Sequence, residues 1–406
     1  MCVIQSVYVR CEFSNIMQIG LLGKANVGKS TFFSAATQTQ VATGNFPFTT
    51  VQPNVGVAYA ETKCPCRELG VEHDSCSEGT RLIPIRLIDI AGLVPGAHQG
   101  RGLGNQFLDD ARQAVALIQV VDIAGATDIE GQPVPPGSHD PLEDVKFVQD
   151  EFDQWFLQIL MREWEKLKRE IVQKKTSIAN GIARRFSGLG VDEDQVRQAL
   201  LECELLTRKP NEWTDQNRME LIVRLRKMTR PMIIAANKAD LCKDLSTVGD
   251  AVPCSAEAEL LLRRASKAGL VDYVSGSGTF AVRSGINLSS QQTKALDTVR
   301  GILSRIGTTG VQKVLNSVIF DVLKMVAVYP VEDETRLTNR DGRVLPDVKL
   351  LPPSSGPRDL AALIHADIEK GFLYAIDCKT RQRIGASYKL KDGDVIKIVS
   401  AGSRGA

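Results

Sequence analysis

Residues Gly23-Lys24-Ala25-Asn26-Val27-Gly28-Lys29-Ser30 decide how this chain is read. Glycine, four residues, then Gly-Lys-Ser is the spacing of a phosphate-binding loop. An apolar run, Met17 to Leu22, precedes it as a strand, and Lys29 to Ala36 follows as a helix. A strand-to-helix turn of this kind gathers backbone N–H groups at the positive end of a helix dipole, where they surround an anion. Gly23 and Gly28 let the main chain approach the phosphates. Lys24, Ala25, Asn26, Val27 and Thr31 complete the loop and the first helical turn around the nucleotide. Lys29 reaches the terminal phosphates, and the Ser30 hydroxyl is an oxygen ligand suited to Mg²⁺. An accidental match is the competing reading, and the strand-helix setting counts against it.

With 406 residues the chain has room for two or three domains and a sizeable core. Its net charge of +2 neither selects nor excludes nucleic acid as a partner. No run of roughly 18 apolar residues is present, so no spanning helix is expected. Met1 to Ile16 carries Glu12 and scattered polar residues where a signal peptide needs an unbroken apolar core. We expect a cytoplasmic protein with residues 1–16 as an N-terminal extension. Nine mostly scattered cysteines suit reduced thiols better than a disulfide frame.

Downstream of the first helix, Gly44-Asn45-Phe46-Pro47-Phe48-Thr49-Thr50 is a loop by composition. A threonine there can close over Mg²⁺ and a γ-phosphate, and Thr50 is the candidate, with Thr49 beside it. Cys64, Cys66, His73 and Cys76 are four possible ligands for Zn²⁺ within thirteen residues. Their spacing fits no established finger, and a loop with buried thiols explains it equally. The strand-like run Leu82 to Ile88 leads to Asp89-Ile90-Ala91-Gly92. A carboxylate ending a buried parallel strand is where nucleotide switches hold Mg²⁺ through water, while the glycine N–H serves the γ-phosphate. The next residue, Leu93, occupies the place where many switch GTPases carry a water-orienting glutamine, and leucine has no polar atom for that task.

The glycine-rich continuation, Gly92-Leu93-Val94-Pro95-Gly96-Ala97-His98-Gln99-Gly100-Arg101-Gly102-Leu103-Gly104-Asn105-Gln106-Phe107-Leu108, resembles the second switch of the Obg and YchF group of translation-factor-like GTPases. Asn45-Phe46-Pro47-Phe48-Thr49-Thr50-Val51 resembles its first switch. That group carries an apolar residue in place of the glutamine, so the attacking water is positioned from elsewhere; His98 and Arg101, in the same stretch, are the candidates. Asn237-Lys238-Ala239-Asp240, after the apolar run Met232 to Ala236, resembles the guanine-reading motif. The Asp240 carboxylate can accept two hydrogen bonds from guanine's ring N–H and amine; adenine lacks both donors there, which is worth about a thousandfold. Some YchF-type proteins depart from this motif and prefer ATP; this sequence keeps it, so GTP and GDP are expected. Cys254-Ser255-Ala256 stands where the family has a loop whose backbone N–H contacts the guanine oxygen. Several GTPases lacking the glutamine use an asparagine at the position of Asn26 to hold K⁺; stabilising the loop is the other reading of Asn26.

Val145, Val148, Phe152, Trp155, Ile159, Leu167 and Ile171 recur at helical steps, and a second helix is expected from about Asp192 to Leu206. These form a helical insertion, as in the YchF type. Arg162 to Arg185 holds eight Lys/Arg against three Glu, either a contact for RNA phosphates or a solvated face. Glu257 to Lys324 reads as mainly helical, with Ser275-Gly276-Ser277-Gly278 as a flexible link. From Met325 the pattern changes: strands at Met325 to Tyr329, Phe372 to Asp377 and Val395 to Val399 frame one helix from Pro357 to Lys370. This small β-grasp resembles the TGS domain in Asp359-Leu360-Ala361-Ala362-Leu363-Ile364-His365 and Asp392-Gly393-Asp394-Val395-Ile396.

The expected architecture is α/β. A doubly wound, mostly parallel P-loop GTPase sheet (17–141 and 229–324) carries a helical insertion (142–228) and a C-terminal TGS domain (325–406). The resemblance implies a Mg²⁺-dependent GTPase that switches on a ribosome or other RNA; the sequence leaves the oligomeric state open, with a monomer favoured. An ATPase and a nucleotide-gated RNA-binding protein with negligible hydrolysis are the alternatives.

Overall fold

The structure is a computed structural model and describes residues 17–37, 54–90, 92–93, 96, 110–242, 245 and 249–401. The extension 1–16 and Thr49, Thr50, His98, Gln99 and Arg101 lie outside the described residues. The chain divides into two units. One comprises Met17–Ala58 and Ile85–Val318; the other comprises Tyr59–Pro84 with the chain from Ile319 onward.

The first unit is built on a six-stranded sheet of order β2-β3-β1-β4-β5-β6. Its strands are β1 (Gln18–Leu22), β2 (Asn54–Lys63), β3 (Thr80–Asp89), β4 (Ala116–Asp122), β5 (Met232–Asn237) and β6 (Val252–Pro253). Every residue of β4 is buried, as expected of a parallel strand covered on both faces. β1 pairs in parallel with β3 on one side and β4 on the other, bringing Leu21 opposite Asp89. β4 pairs in parallel with β5, so Asp122 lies beside Asn237. The chain thus leaves β1 toward one flank of the sheet and later toward the other. That topology opens a crevice beyond the carboxyl end of β1, directly before α1 (Lys29–Thr37).

β2 has no counterpart among the expected elements. Its alternation is inverted: Ala58 and Ala60 are buried while Val55, Val57 and Tyr59 are exposed, so apolar side chains do not mark the inner face. Beyond β2 lies one helical turn, α2 (Cys66–Leu69). The helical insertion begins with α3 (Pro141–Met161), which Asp140 caps through Leu142 N at 2.9 Å. The periodicity expected to run unbroken to Ile171 is interrupted. Arg162 is extended and Glu163 adopts φ 61° before α4 (Trp164–Val172). The break turns Trp164 onto Trp213, with ring centroids 5.5 Å apart. α5 (Ile178–Arg185), α6 (Glu193–Glu202) and α7 (Asp215–Thr229) complete the insertion. α6 stops short of Leu206, where Glu204 turns left-handed and Leu205 N–H donates to Leu200 O. Phe152, Trp155, Phe156, Phe186, Leu200 and Leu221 belong to its core.

After β6 come α8 (Ala256–Lys267), the short antiparallel pair β7 (Val271–Asp272) and β8 (Ala281–Val282), α9 (Ser290–Ile306) and α10 (Val311–Ser317). The segment Ser275 to Gly278, expected as a flexible link, is the turn between β7 and β8. It is fixed by Ser275 Oγ donating to buried Glu259 at 2.7 Å.

In the second unit, five strands run in the order β10-β9-β13-β11-β12. They are β9 (Val326–Val331), β10 (Lys349–Leu351), β11 (Phe372–Asp377), β12 (Gln382–Ile384) and β13 (Val395–Ser400). β13 pairs with β9 in parallel and with β11 antiparallel. The helix expected to be continuous from Pro357 to Lys370 is two, α11 (Pro357–Ile364) and α12 (Ala366–Lys370), because His365 is extended and its Nδ1 accepts from Asp367 N at 3.1 Å. Cys64 and Cys66 pack in one core with Tyr329, Leu337, Leu345 and Val395.

Candidate functional site

The loop 23–30 leaves β1 at the crevice, and its two glycines are required by what lies against them. A Cβ at Gly23 (φ 148°) would stand 2.4 Å from Val120 O, and one at Gly28 (φ 94°) 2.4 Å from Asn237 Nδ2. Asn26 is left-handed, φ 60°, which asparagine tolerates better than most residues.

Lys29, Ser30, Asp89 and Gly92 converge there. Lys29 is buried and its Nζ donates to Lys24 O at 2.7 Å. Burial holds its ammonium down at about 8, against the opposing charge of Asp89. Ser30 Oγ donates to Asp89 Oδ2 at 3.0 Å. Burial pushes the Asp89 carboxyl above its usual range, against the charge of Lys29 and hydrogen bonds from Ser30 and Asn54. A Cβ at Gly92 would lie 3.2 Å from Lys29 Nζ and 3.4 Å from Ala25 N, so glycine keeps this approach open. Leu93 follows with its N–H on Gly23 O at 3.1 Å and its side chain buried in the core of the insertion. Val27 is fully buried, and Thr31 lies half-buried in the first turn of α1.

Not every candidate side chain faces the crevice. Lys24 is buried, and its Nζ donates to Thr127 O at 2.9 Å and Asp144 Oδ1 at 2.8 Å. Asp144 also meets His139 Nε2 at 2.7 Å. Asn26 Nδ2 donates to Gly131 O at 2.8 Å, and a Cβ on Gly131 would sit 2.7 Å from Ala25 Cβ. The segment Ala124 to Pro141 therefore underlies the loop. By composition that segment is a Pro/Gly-rich connection, and the density of glycine and proline is the one signal it offers; nothing in it marks Thr127 and His139, or Asp144 in the first turn of α3, as supports of the loop.

On the other flank, Asn237 ties two loops together. Its Nδ2 donates to Val27 O at 2.9 Å, and its Oδ1 accepts from Ala256 N at 3.0 Å. Lys238 (φ 59°) pairs with buried Asp122 at 2.8 Å. Asp122 also accepts from Thr127 Oγ1 at 3.0 Å and was not singled out from the sequence. Ser255 caps α8 by accepting from Ala258 N at 3.3 Å. Asp240 is half-buried beyond these anchors. The crevice thus holds a buried cation, N–H groups at a helix start and an oxygen-only donor pair, Ser30 and Asp89. That donor chemistry fits Mg²⁺ beside phosphate oxygens. The Cys64, Cys66, His73 and Cys76 cluster lies in the other unit.

Residues 18–155 match the family described as 50S ribosome-binding GTPase. Residues 235–333 match the G4 motif-containing domain of the Obg-like, YGR210-like GTPases, and residues 337–400 the TGS domain. A GTP-binding protein of Methanocaldococcus jannaschii is 46% identical over 397 residues, which cover 94% of this chain and 99% of that protein. The chain belongs to the Obg-like/YchF GTPase family. Its fold agrees with that of relatives in this family. The crystal structure of a GTP-binding protein from Pyrococcus horikoshii has a TM-score of 0.75 at 40% identity and covers 95% of this chain and all (100%) of that one. The Schizosaccharomyces pombe YchF GTPase, 19% identical with a TM-score of 0.53, shares the fold over 96% of this chain and 99% of its own. Like other members of the Obg-like/YchF family, the chain combines a P-loop GTPase fold with a C-terminal TGS domain. Among the described residues no helix is long and apolar enough to cross a membrane.

Proposed function

We propose that this chain binds GTP and GDP in the crevice, hydrolyses GTP slowly, and acts as a switch on a ribosome or other RNA. The observation that carries the reading is the convergence of Lys29, Ser30, Asp89 and Gly92 at the carboxyl ends of β1 and β3, with Asp240 following β5. Lys29 neutralises charge on the β- and γ-phosphates, Gly92 N–H holds the γ-phosphate, and Asp240 accepts from guanine. Ser30, Asp89 and Thr50 would hold Mg²⁺, which supplies further neutralisation of the phosphates when bound. Leu93, facing the core, leaves no side-chain amide to orient water, and a missing catalytic group of this kind costs about 10³- to 10⁵-fold in rate. His98 is the candidate for positioning the water. K⁺ beside Asn26 is the candidate for the missing cation, read out as faster hydrolysis in KCl than in NaCl at equal ionic strength; equal rates remove it.

Support for the ribosome reading comes from the description of the matched GTPase family and from the TGS domain. Its test is co-sedimentation with ribosomes and their subunits, comparing a non-hydrolysable GTP analogue with GDP at two salt concentrations. Binding in the GTP-like state alone, weakened by salt, is the expected result. Pelleting in neither state would remove the ribosome while leaving nucleotide binding intact.

A further inference from the structure

Four side chains at the tip between β2 and β3 take no part in the nucleotide crevice. Cys64, Cys66, His73 and Cys76 each offer one ligand atom, and all four atoms lie within 4.8 Å of one another. Cys64 Sγ and His73 Nε2 are 3.3 Å apart, and the Cys66 and Cys76 sulfurs 3.6 Å. With Zn–S near 2.3 Å and Zn–N near 2.0 Å, tetrahedral ligands stand about 3.5 to 3.8 Å from one another. The two short separations match those edges, and the widest needs to close by only about 1 Å.

The backbone explains how thirteen residues bring the four together. Cys64 ends β2 with its N–H on Gly79 O at 2.8 Å. Pro65 then starts α2, whose first residue is Cys66, and Gly70 (φ 65°) ends that turn so that Val71 N–H returns to Cys66 O at 3.0 Å. Gly79 (φ 81°) makes the second sharp turn, where a Cβ would meet the Arg67 side chain at 2.6 Å. The ligands are held by main-chain geometry. Cys64 and Cys66 are buried, whereas His73 and Cys76 are half-exposed and leave an entry path. The same hairpin tip packs in a core with Tyr329, Val331, Leu337 and Leu345, and buried Arg81 donates to Leu345 O at 3.2 Å.

We propose that Cys64, Cys66, His73 and Cys76 bind one Zn²⁺ through three thiolates and one imidazole, as a closed structural site in the unit that contains the β-grasp sheet. Three sulfurs and a nitrogen favour zinc over the hard cation of the crevice. With all four positions taken by protein, the ion has no open place for substrate, so its part is to pin the hairpin tip. Coordination releases the thiol protons, which makes binding pH-dependent. With Nε2 on the ion, Nδ1 carries the ring proton, and the contact from Ser75 N at 3.3 Å gives way. The inference is independent of the nucleotide reading.

The test is metal content of the reduced full-length chain, followed by Co²⁺ substitution. One zinc per chain is expected, with the absorption of tetrahedral thiolate-bound cobalt after exchange. The Cys64→Ser/Cys66→Ser double variant should lose the ion. His73→Ala, a change at a half-exposed position, should keep cobalt more weakly with a shifted spectrum, and Cys203→Ser, remote in sequence, should leave it unchanged. GDP binding monitored in parallel reports that each variant's other unit remains folded. The proposal is overturned if the reduced wild-type chain takes up neither Zn²⁺ nor Co²⁺, or if the double variant retains the metal undiminished. A Cys66–Cys76 disulfide in the chain purified without oxidant overturns it as well.

Discussion

Lys29 is a buried ammonium whose pKa is held at about 8 because desolvation outweighs the attraction of Asp89. A phosphate within its reach adds negative charge and raises that pKa again. The sign follows from which state holds more protons. Above pH of about 8 the free chain carries Lys29 neutral, so nucleotide binding takes up a proton and affinity falls with rising pH, by up to about tenfold per unit. Below that pH the dependence from this group disappears. Calorimetry in two buffers of different ionisation heat at about pH 9 should record net proton uptake; zero uptake would mean that Lys29 does not sense the phosphates. The meeting of Lys29, Ser30, Asp89 and Gly92 was legible in the sequence because motif spacing fixes the local backbone. Lys24 was not: nothing in its neighbours says that its side chain turns into the core to meet Asp144, a residue 120 positions away.

At the scale of elements, the Ala124 to Pro141 segment and the start of α3 carry the loop from beneath. Lys24 and Asp144 are both almost wholly buried, so removing Asp144 leaves the Lys24 ammonium buried without its carboxylate. Asp144→Ala should therefore destabilise by roughly 3 to 5 kcal/mol in denaturant unfolding and weaken nucleotide binding. Replacing both, Lys24→Met with Asp144→Leu, should recover most of the stability. A loss below about 1 kcal/mol for the single change would show that the pair contributes no more than a surface one. The strands β1, β3 and β5 could be read from their apolar runs. β2 could not, since its small residues face inward, and the breaks at Glu163 and His365 were hidden within patterns whose helical period continues across them.

For the whole molecule, the C-terminal unit includes Tyr59–Pro84 from the early chain, an association of distant segments that no local pattern announces. Tyr329 Oη donates to Lys63 O at 3.3 Å, and Arg81 Nη2 to Pro346 O at 2.5 Å, so the hairpin tip is part of that unit's hydrogen bonding as well as its core. The basic run of the insertion is partly spent within the chain. Lys168 pairs with Glu165 at 2.7 Å and Arg185 donates to the Gly181 carbonyl at 2.8 Å, while Lys174 and Lys175 are exposed. This architecture serves a guanine nucleotide. Displacement of labelled GDP by GTP, GDP and ATP from the full-length chain tests it most directly, with Asp240→Ala alongside. The account predicts that ATP competes about a thousandfold less well than GTP, and that Asp240→Ala removes most of the difference. Equal competition by ATP and GTP in the unaltered chain would contradict it.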